Sequence, residues 1–209
     1  MANQLAIRAH TQPGQEVIVE SKAHIVRYEQ GAAGALAGVQ LHWVIGDRGI
    51  MSAEQVEAAM RPKDPYSIPT GLICLENTHN SGGGTIYPLS TIEKIRTVAT
   101  RHSIPMHLDG ARLFNAVAAT TLPATTYAQH FESVSFCLSK GLGAPAGSLL
   151  VSSDFAFIER ARRFRRMYGG AMRQSGILAA GGLYALEHNM ARLKDDHLNA
   201  KKLARALQQ

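Results

Sequence analysis

The sequence predicts an α/β fold built on a mostly parallel sheet. Two observations carry that reading. Short β-type runs alternate with longer helix-type runs, which is the order of a layered α/β domain. Several of the β-type runs are continuously apolar, as strands covered on both faces must be.

Taken in order, residues 2–9 read as helix interior with no cap and no leading strand. Strands are predicted at 16–20, 40–44, 72–76, 106–109, 134–138 and 148–151. A helix is predicted over 52–60, where Ser52 caps an Ala/Glu-rich stretch. The helix over 89–102 places Ile92, Ile95, Val98 and Ala99 on one face at three- and four-residue spacings. After Val151 the pattern is helical alone, over 154–167, 176–187 and 190–207. No internal repeat, low-complexity tract or linker interrupts the chain.

The chain has 209 residues, 45% of them hydrophobic and 18% charged, which suits one good-sized domain. No apolar run spans a bilayer, and residues 1–4 are not the start of a secretory signal, so a cytoplasmic protein without a membrane partner is expected. Cys74 and Cys137 sit in apolar runs and read as small buried hydrophobes in a reducing compartment. The formal charge is +6, and Arg160, Arg162, Arg163, Arg165 and Arg166 carry much of it. Such a cluster invites a nucleic-acid reading. With aromatic residues at only 6% and none interleaved with the arginines, a solvated helix face explains it better, and no nucleic acid is expected.

Chemistry is expected beyond the carboxyl ends of the strands. Three segments put reactive groups there: LENTHN at 75–80, HLDGAR at 107–112 and FCLSKGLG at 136–143. Lys140 follows an apolar strand, where partial burial disfavours its charged form and leaves an amine able to attack a carbonyl. A lone strand-end lysine more often reaches out to solvent. Asp109 ends a neighbouring strand and is the carboxylate a pyridinium nitrogen needs; it also reads as a cap for the following helix. Arg112 suits a bidentate grip on a carboxylate or a plain surface charge. Ser139 and the amides near Gly141 and Gly143 suit phosphate or a turn. His24 offers a flat ring, and Arg173, expected at the start of a helix, an anion contact. His24, His79 and His107 share no metal-ligand spacing, so no metal site is expected.

LENTHN, HLDGARLFNA at 107–116, FCLSKGLGAPAGS at 136–148 and GGAMRQSG at 169–176, in this order, resemble the low-specificity L-threonine aldolases. The resemblance covers essentially the whole chain. It implies the three-layer large domain of the fold-type I, aspartate-aminotransferase-like enzymes, with pyridoxal 5'-phosphate as cofactor. It implies that Lys140 carries the cofactor, Asp109 pairs with its ring nitrogen and His24 stacks on the ring and handles the substrate hydroxyl proton. It implies Arg112 for the amino-acid carboxylate, and Ser139 and Arg173 for the cofactor. The activity implied is cleavage of L-threonine or L-allo-threonine to glycine and acetaldehyde by a homo-oligomer, a tetramer in the family. The alternatives are β-elimination by another lyase of this cofactor and a non-catalytic truncated product.

The resemblance has departures. Family members carry a DLRSDT-like segment and a Gly-Thr phosphate loop before the position of Ala2, and a smaller domain after this segment. The expectation is therefore a large domain at 1–187 lacking its N-terminal part, and at 188–209 the helix leading to an absent small domain. The chain by itself is expected to be inactive. Tyr66 stands where many members have a second active-site histidine, and Ala171 replaces a glycine of the GGGMRQ turn.

Overall fold

The computed structural model describes residues 1–62 and 64–208. A six-stranded sheet forms its centre, in the order β2-β1-β3-β4-β5-β6. The strands are β1 (Glu16–Glu20), β2 (Gln40–Val44), β3 (Thr70–Glu76), β4 (Met106–Asp109), β5 (Ser133–Cys137) and β6 (Ser148–Val151). The first five are parallel; β6 returns antiparallel against β5. All six predicted strands are present, two of them with ends moved by one or two residues.

Because side chains alternate along a strand, each face of the sheet has its own set. Ile18, Ile73, Leu75, Met106, Leu108 and Val134 face one core, under α3 (Ala53–Ala59), α4 (Leu89–His102) and α6 (Ala124–Ala128). Val17, Val19, Leu72 and Cys74 face the other, where Ile7 of α1 (Ala2–His10) and Ile25 of α2 (His24–Arg27) meet them. A π-helical turn over Ala33–Ala37 completes that cluster. The result is a three-layer α/β domain.

The helix starts follow the local chemistry. Ser52 caps α3 in a reciprocal box: its hydroxyl accepts from Gln55 N, and the Gln55 side chain accepts from Ser52 N. Ile92, Ile95, Val98 and Ala99 are the buried face of α4, as their spacing predicts. Ile95 is fully buried, so Ile95→Ala is expected to lower stability by about 2–5 kcal/mol, from lost transfer energy plus a cavity. Urea unfolding monitored by circular dichroism checks this.

Three further helices cover the C-terminal part. α7 (Phe155–Met167) is capped by Asp154 and buries Phe157 and Ala161 against Ala6 and Ala9 of α1. Its five arginines all face solvent, as a solvated helix face requires. α8 (Gly176–His188) and α9 (Leu193–Leu207) follow. The helix predicted from residue 190 is broken at its start, and its first turn plugs Leu193 into a cluster with Leu138, Leu142 and Ala185. Residues 188–209 thus begin anchored on the sheet domain. The short helices α2 and α6 escaped prediction because four or five residues carry too little periodicity. Among the described residues, no helix is long and apolar enough to cross a membrane.

Candidate active site

Alternation along the strands also builds the site. On the face turned toward α1, β3 contributes Glu76, β4 contributes His107 and Asp109, and β5 contributes Ser133, Ser135 and Cys137. Glu76 and Asp109 are register partners at adjoining strand ends. Beyond them opens a cleft of about 340 Å³, within the range of small-molecule sites. Asp109, Glu76, Glu29, His24, Arg112 and Lys140 line it.

Gly110 lets the chain leave β4 at the required angle. Its N–H donates to Ser135 O at 2.8 Å, and a Cβ there would stand 2.7 Å from that oxygen. Glycine is needed for this close approach, which fixes Asp109 against β5. Arg112 is the residue preceding α5 (Leu113–Thr120), and its guanidinium donates to Asn80 Oδ1 at 3.1 Å. Lys140 is half-buried and lies in a tight turn closed by Gly143 N to Lys140 O, 2.8 Å.

The acidic side of the cleft is tied together by amide donors. Asn3 Nδ2 donates to Asp109 Oδ2 at 2.7 Å and to Glu29 Oε1 at 2.8 Å. Gln4 Nε2 donates to Glu29 Oε2. His24 is held twice: its backbone N donates to Glu76 Oε2 at 2.7 Å, and its Nδ1 lies 2.8 Å from Glu29 Oε1. Burial works against the Glu29 charge, but the bonds from Gln4, Asn3 and His24 outweigh it and hold its carboxyl below the ordinary value. An ionised Glu29 accepts, so His24 Nδ1 carries the hydrogen and Nε2 is the freer ring nitrogen.

Asp109 is the opposite case. Burial first, then the like charges of Glu76 and Glu29, raise its pKa to about 6, while the Asn3 bond and His24 pull the other way. A buried carboxyl with two acidic neighbours is a poor structural choice and a good receptor for a cation. It does not cap α5; Arg112 occupies that position without a side-chain cap bond. Nearby, His79 is fully buried, accepts from Gly82 N at 3.1 Å, and has Nε2 3.0 Å from Glu20 Oε2, off the N–H direction.

Not every residue proposed from sequence reaches this cleft. Ser139 is exposed beside Lys140 and does not line it. Arg173 is exposed in the segment before α8, three residues short of the helix start expected for it, and does not line the cleft. Tyr66 is 98% exposed on the segment before β3, also outside the cleft. Cys137, expected to be buried, is half-buried and lines the cleft. Both cysteines are free. Asn3, Gln4 and Glu29 were not singled out in the sequence. The available signal for the first two was a pair of amides on the buried face of an otherwise apolar helix.

One donor set in the described residues has the composition of a metal site: His24, Glu29 and Asp109 bring ligand atoms within 4.8 Å of one another. Amide and imidazole hydrogens already point at these carboxylates, and a cation bound between them would have to displace the Asn3 bond shared by both. The chemistry of the set fits a ring N–H cation approaching Asp109 from the cleft, with the His24 ring beside it and the Lys140 amine within the same walls. Pyridoxal phosphate has these features: an aldehyde for an amine and a basic ring nitrogen for a carboxylate.

The mostly parallel sheet with its flanking helices has the aspartate-aminotransferase-like fold, and a lysine, a buried aspartate and a histidine gather at its strand ends. The chain belongs to the β-eliminating lyase family, whose model matches residues 1–209. It is 44% identical over 213 residues to low-specificity L-threonine aldolase 1 of Arabidopsis thaliana, covering 100% of this chain and 59% of that protein. The fold matches that of Leishmania major threonine aldolase with a TM-score of 0.89 at 22% identity, over 99% of this chain and 60% of that one. Aspartate aminotransferase of Rhizobium meliloti matches at 0.73 and 18% identity, over 96% and 50%. The chain spans about half to three fifths of the length of the curated relatives it matches.

Two buried imidazoles near the site give a pH dependence. Burial lowers His107 to about 3 and His10 to about 4. Both are neutral in the folded protein, while the unfolded chain takes up protons below about pH 6.5. Their contribution is therefore complete above 6.5 and lost as pH falls toward 4 and 3. Asp109 acts oppositely, binding its proton in the folded state between about 6 and 3.8. Two protons against one leave a net loss of stability on acidification. His107→Gln is expected to flatten the acid limb by up to ~1.4 kcal/mol per pH unit in that window. Urea midpoints measured from pH 7 to pH 4 check it.

Proposed function

We propose that this chain provides the cofactor-binding side of a pyridoxal-phosphate lyase that cleaves L-threonine or L-allo-threonine to glycine and acetaldehyde. The observation that carries the reading is the raised, buried Asp109 carboxyl opening on the same cleft as the Lys140 amine. The names of the relatives favour the threonine substrate. Bound here, pyridoxal phosphate supplies an electron sink for the amino acid's α-carbon.

The residues divide the remaining work. Lys140 would hold the cofactor through its aldehyde. Asp109 would pair with the protonated ring nitrogen, which would satisfy its buried charge. His24 would lie beside the ring, and its Nε2, left free by the bond from Nδ1 to Glu29, would take the proton of the β-hydroxyl. Arg112 holds the substrate carboxylate. Ser139 and Arg173 are assigned to the cofactor's phosphate end. Residues 1–187 form the cofactor-binding unit, and 188–209 lead toward the smaller domain. The protein works as a cytoplasmic homo-oligomer, a tetramer by family resemblance.

Product analysis tests the reaction. The chain is supplied with pyridoxal phosphate and either L-threonine or L-serine. Glycine with acetaldehyde from L-threonine supports the aldol cleavage. Pyruvate with ammonia from L-serine favours β-elimination, the reading that the family description supports. No turnover with either substrate, in protein that binds the cofactor, favours the non-catalytic alternative.

A further inference from the structure

Asn3 is the point where two buried networks meet. Its carboxamide has four hydrogen-bonding positions, and all four are used. The two N–H groups go to Asp109 Oδ2 and Glu29 Oε1. The oxygen accepts from Ser135 Oγ at 2.7 Å and faces His107 Nε2 at 3.2 Å. Turning the amide over would set its oxygen against two carboxylates, so the orientation is fixed.

The direction of every hydrogen follows. His107 is fully buried and neutral, and donates from Nε2 to Asn3. Its Nδ1 lies 2.8 Å from the Ser133 hydroxyl, which can donate to it, and 3.2 Å from the Ser133 carbonyl oxygen, which cannot; the Asn3 oxygen at Nε2 and the hydroxyl at Nδ1 together favour the Nε2–H tautomer. Ser133 Oγ in turn accepts from His10 Nε2 at 2.8 Å. His10 stacks on Phe157 of α7, with ring centroids 4.3 Å apart. Donors thus run one way, from His10 at the end of α1 through Ser133 of β5 and His107 of β4 back to Asn3 of α1 and on to the carboxylates of the cleft. Strand alternation makes this possible, because His107, Asp109, Ser133 and Ser135 share the sheet face under α1.

We propose that Asn3 is a positioning residue for the reaction, which holds Asp109 and Glu29 in register and is itself set by the His107 tautomer and the Ser135 hydroxyl. Its donation to Asp109 Oδ2 leaves Oδ1, which has only a 3.3 Å contact from Ala111 N, as the freer acceptor for a cation in the cleft. The same amide holds Glu29 and through it the His24 ring. One side chain thereby sets both partners of the cofactor ring. The purpose assigned to Asp109 rests on the cofactor reading above; the positioning itself does not.

The groups facing Asp109 are Asn3 from α1, His24 and Glu29 from the α2 segment, Glu76 from β3 and, across the cleft, Arg112 and Lys140. Among the described residues, only Asn3 donates a side-chain hydrogen bond to it. NMR on the cofactor-free 209-residue chain tests the proposal, with 13C-carboxyl aspartate and 15N-histidine labels. His107 is expected as the neutral Nε2–H tautomer from pH 5 to pH 8. In Asn3→Leu the proton affinity of Asp109 is expected to rise at least about tenfold, one pH unit, because the charged form loses its donor. Ser135→Ala is expected to move it in the same direction by less. An unchanged Asp109 midpoint in a folded Asn3→Leu variant overturns the proposal. So does the Nδ1–H tautomer of His107 in the unsubstituted chain, a readout that holds even if Asn3→Leu does not fold. Since no cofactor is present, failure of Lys140 to bind pyridoxal phosphate would sink the cofactor reading and leave this result standing.

Discussion

Lys140→Ala is expected to abolish the visible absorption band that the proposed lysine–pyridoxal phosphate bond gives the chain. Lys140 is the only lysine that lines the cleft holding Asp109 and His24, among the described residues. Alanine leaves the turn intact, since the turn is closed by main-chain bonds from Gly143 and Ala144 and not by the lysine side chain. Folding is therefore retained, and circular dichroism is unchanged. What is lost is the amine that, on the proposed reading, would hold the cofactor aldehyde. Residual, non-covalent cofactor binding through the remaining walls is expected, with the spectrum of the free aldehyde. Retention of the lysine-bound band in the variant would remove Lys140 from its role.

Asp109→Asn separates function from stability. In the cofactor-free chain the buried carboxyl is a liability at neutral pH: its folded-state pKa of about 6 lies above the unfolded value. The cost appears as pH rises through this window and amounts to a few kcal/mol above it. Asparagine removes that charge and can still accept from Asn3 through its oxygen. The variant is expected to be at least as stable as the parent at pH 7.5, with the gain disappearing below pH 4. Catalysis should move the other way. Without a carboxylate opposite the ring nitrogen, any glycine formation that the chain supports with pyridoxal phosphate is expected to fall about 10²–10³-fold, the range for removing one preorganised electrostatic partner. Denaturation curves and a glycine assay on the same preparation check both halves. A variant that is less stable and equally active would mean that Asp109 is structural.

Much of this site was legible in the sequence, for a definite reason. A strand that ends in a polar residue delivers that residue to the sheet's carboxyl edge, so Glu76, Asp109 and Lys140 could be placed from local pattern alone. Alternation in MHLD and SVSFC even assigns His107, Asp109, Ser135 and Cys137 to one face. Asn3 was not legible, because its partners lie 106 and 132 residues away at Asp109 and Ser135, and no spacing rule spans such distances. Glu29 was missed for a related reason: its significance comes from Asn3, Gln4 and His24 converging on it. Arg173 shows the converse. The GGAMRQSG motif singled it out, yet the fold leaves it exposed before α8, and its role rests on resemblance alone. The short helix α2, which sets His24 on Glu76, is too brief to announce itself by periodicity.

The central claim is that the strand-end cleft holds pyridoxal phosphate through Lys140. Borohydride reduction of the chain with pyridoxal phosphate fixes the lysine–cofactor bond, and peptide mapping by mass spectrometry then locates it. The modification is expected on the peptide containing Lys140, at one cofactor per chain, and absent from Lys140→Ala. Labelling spread over Lys22, Lys94, Lys194, Lys201 and Lys202, with Lys140 unmodified, would contradict the account.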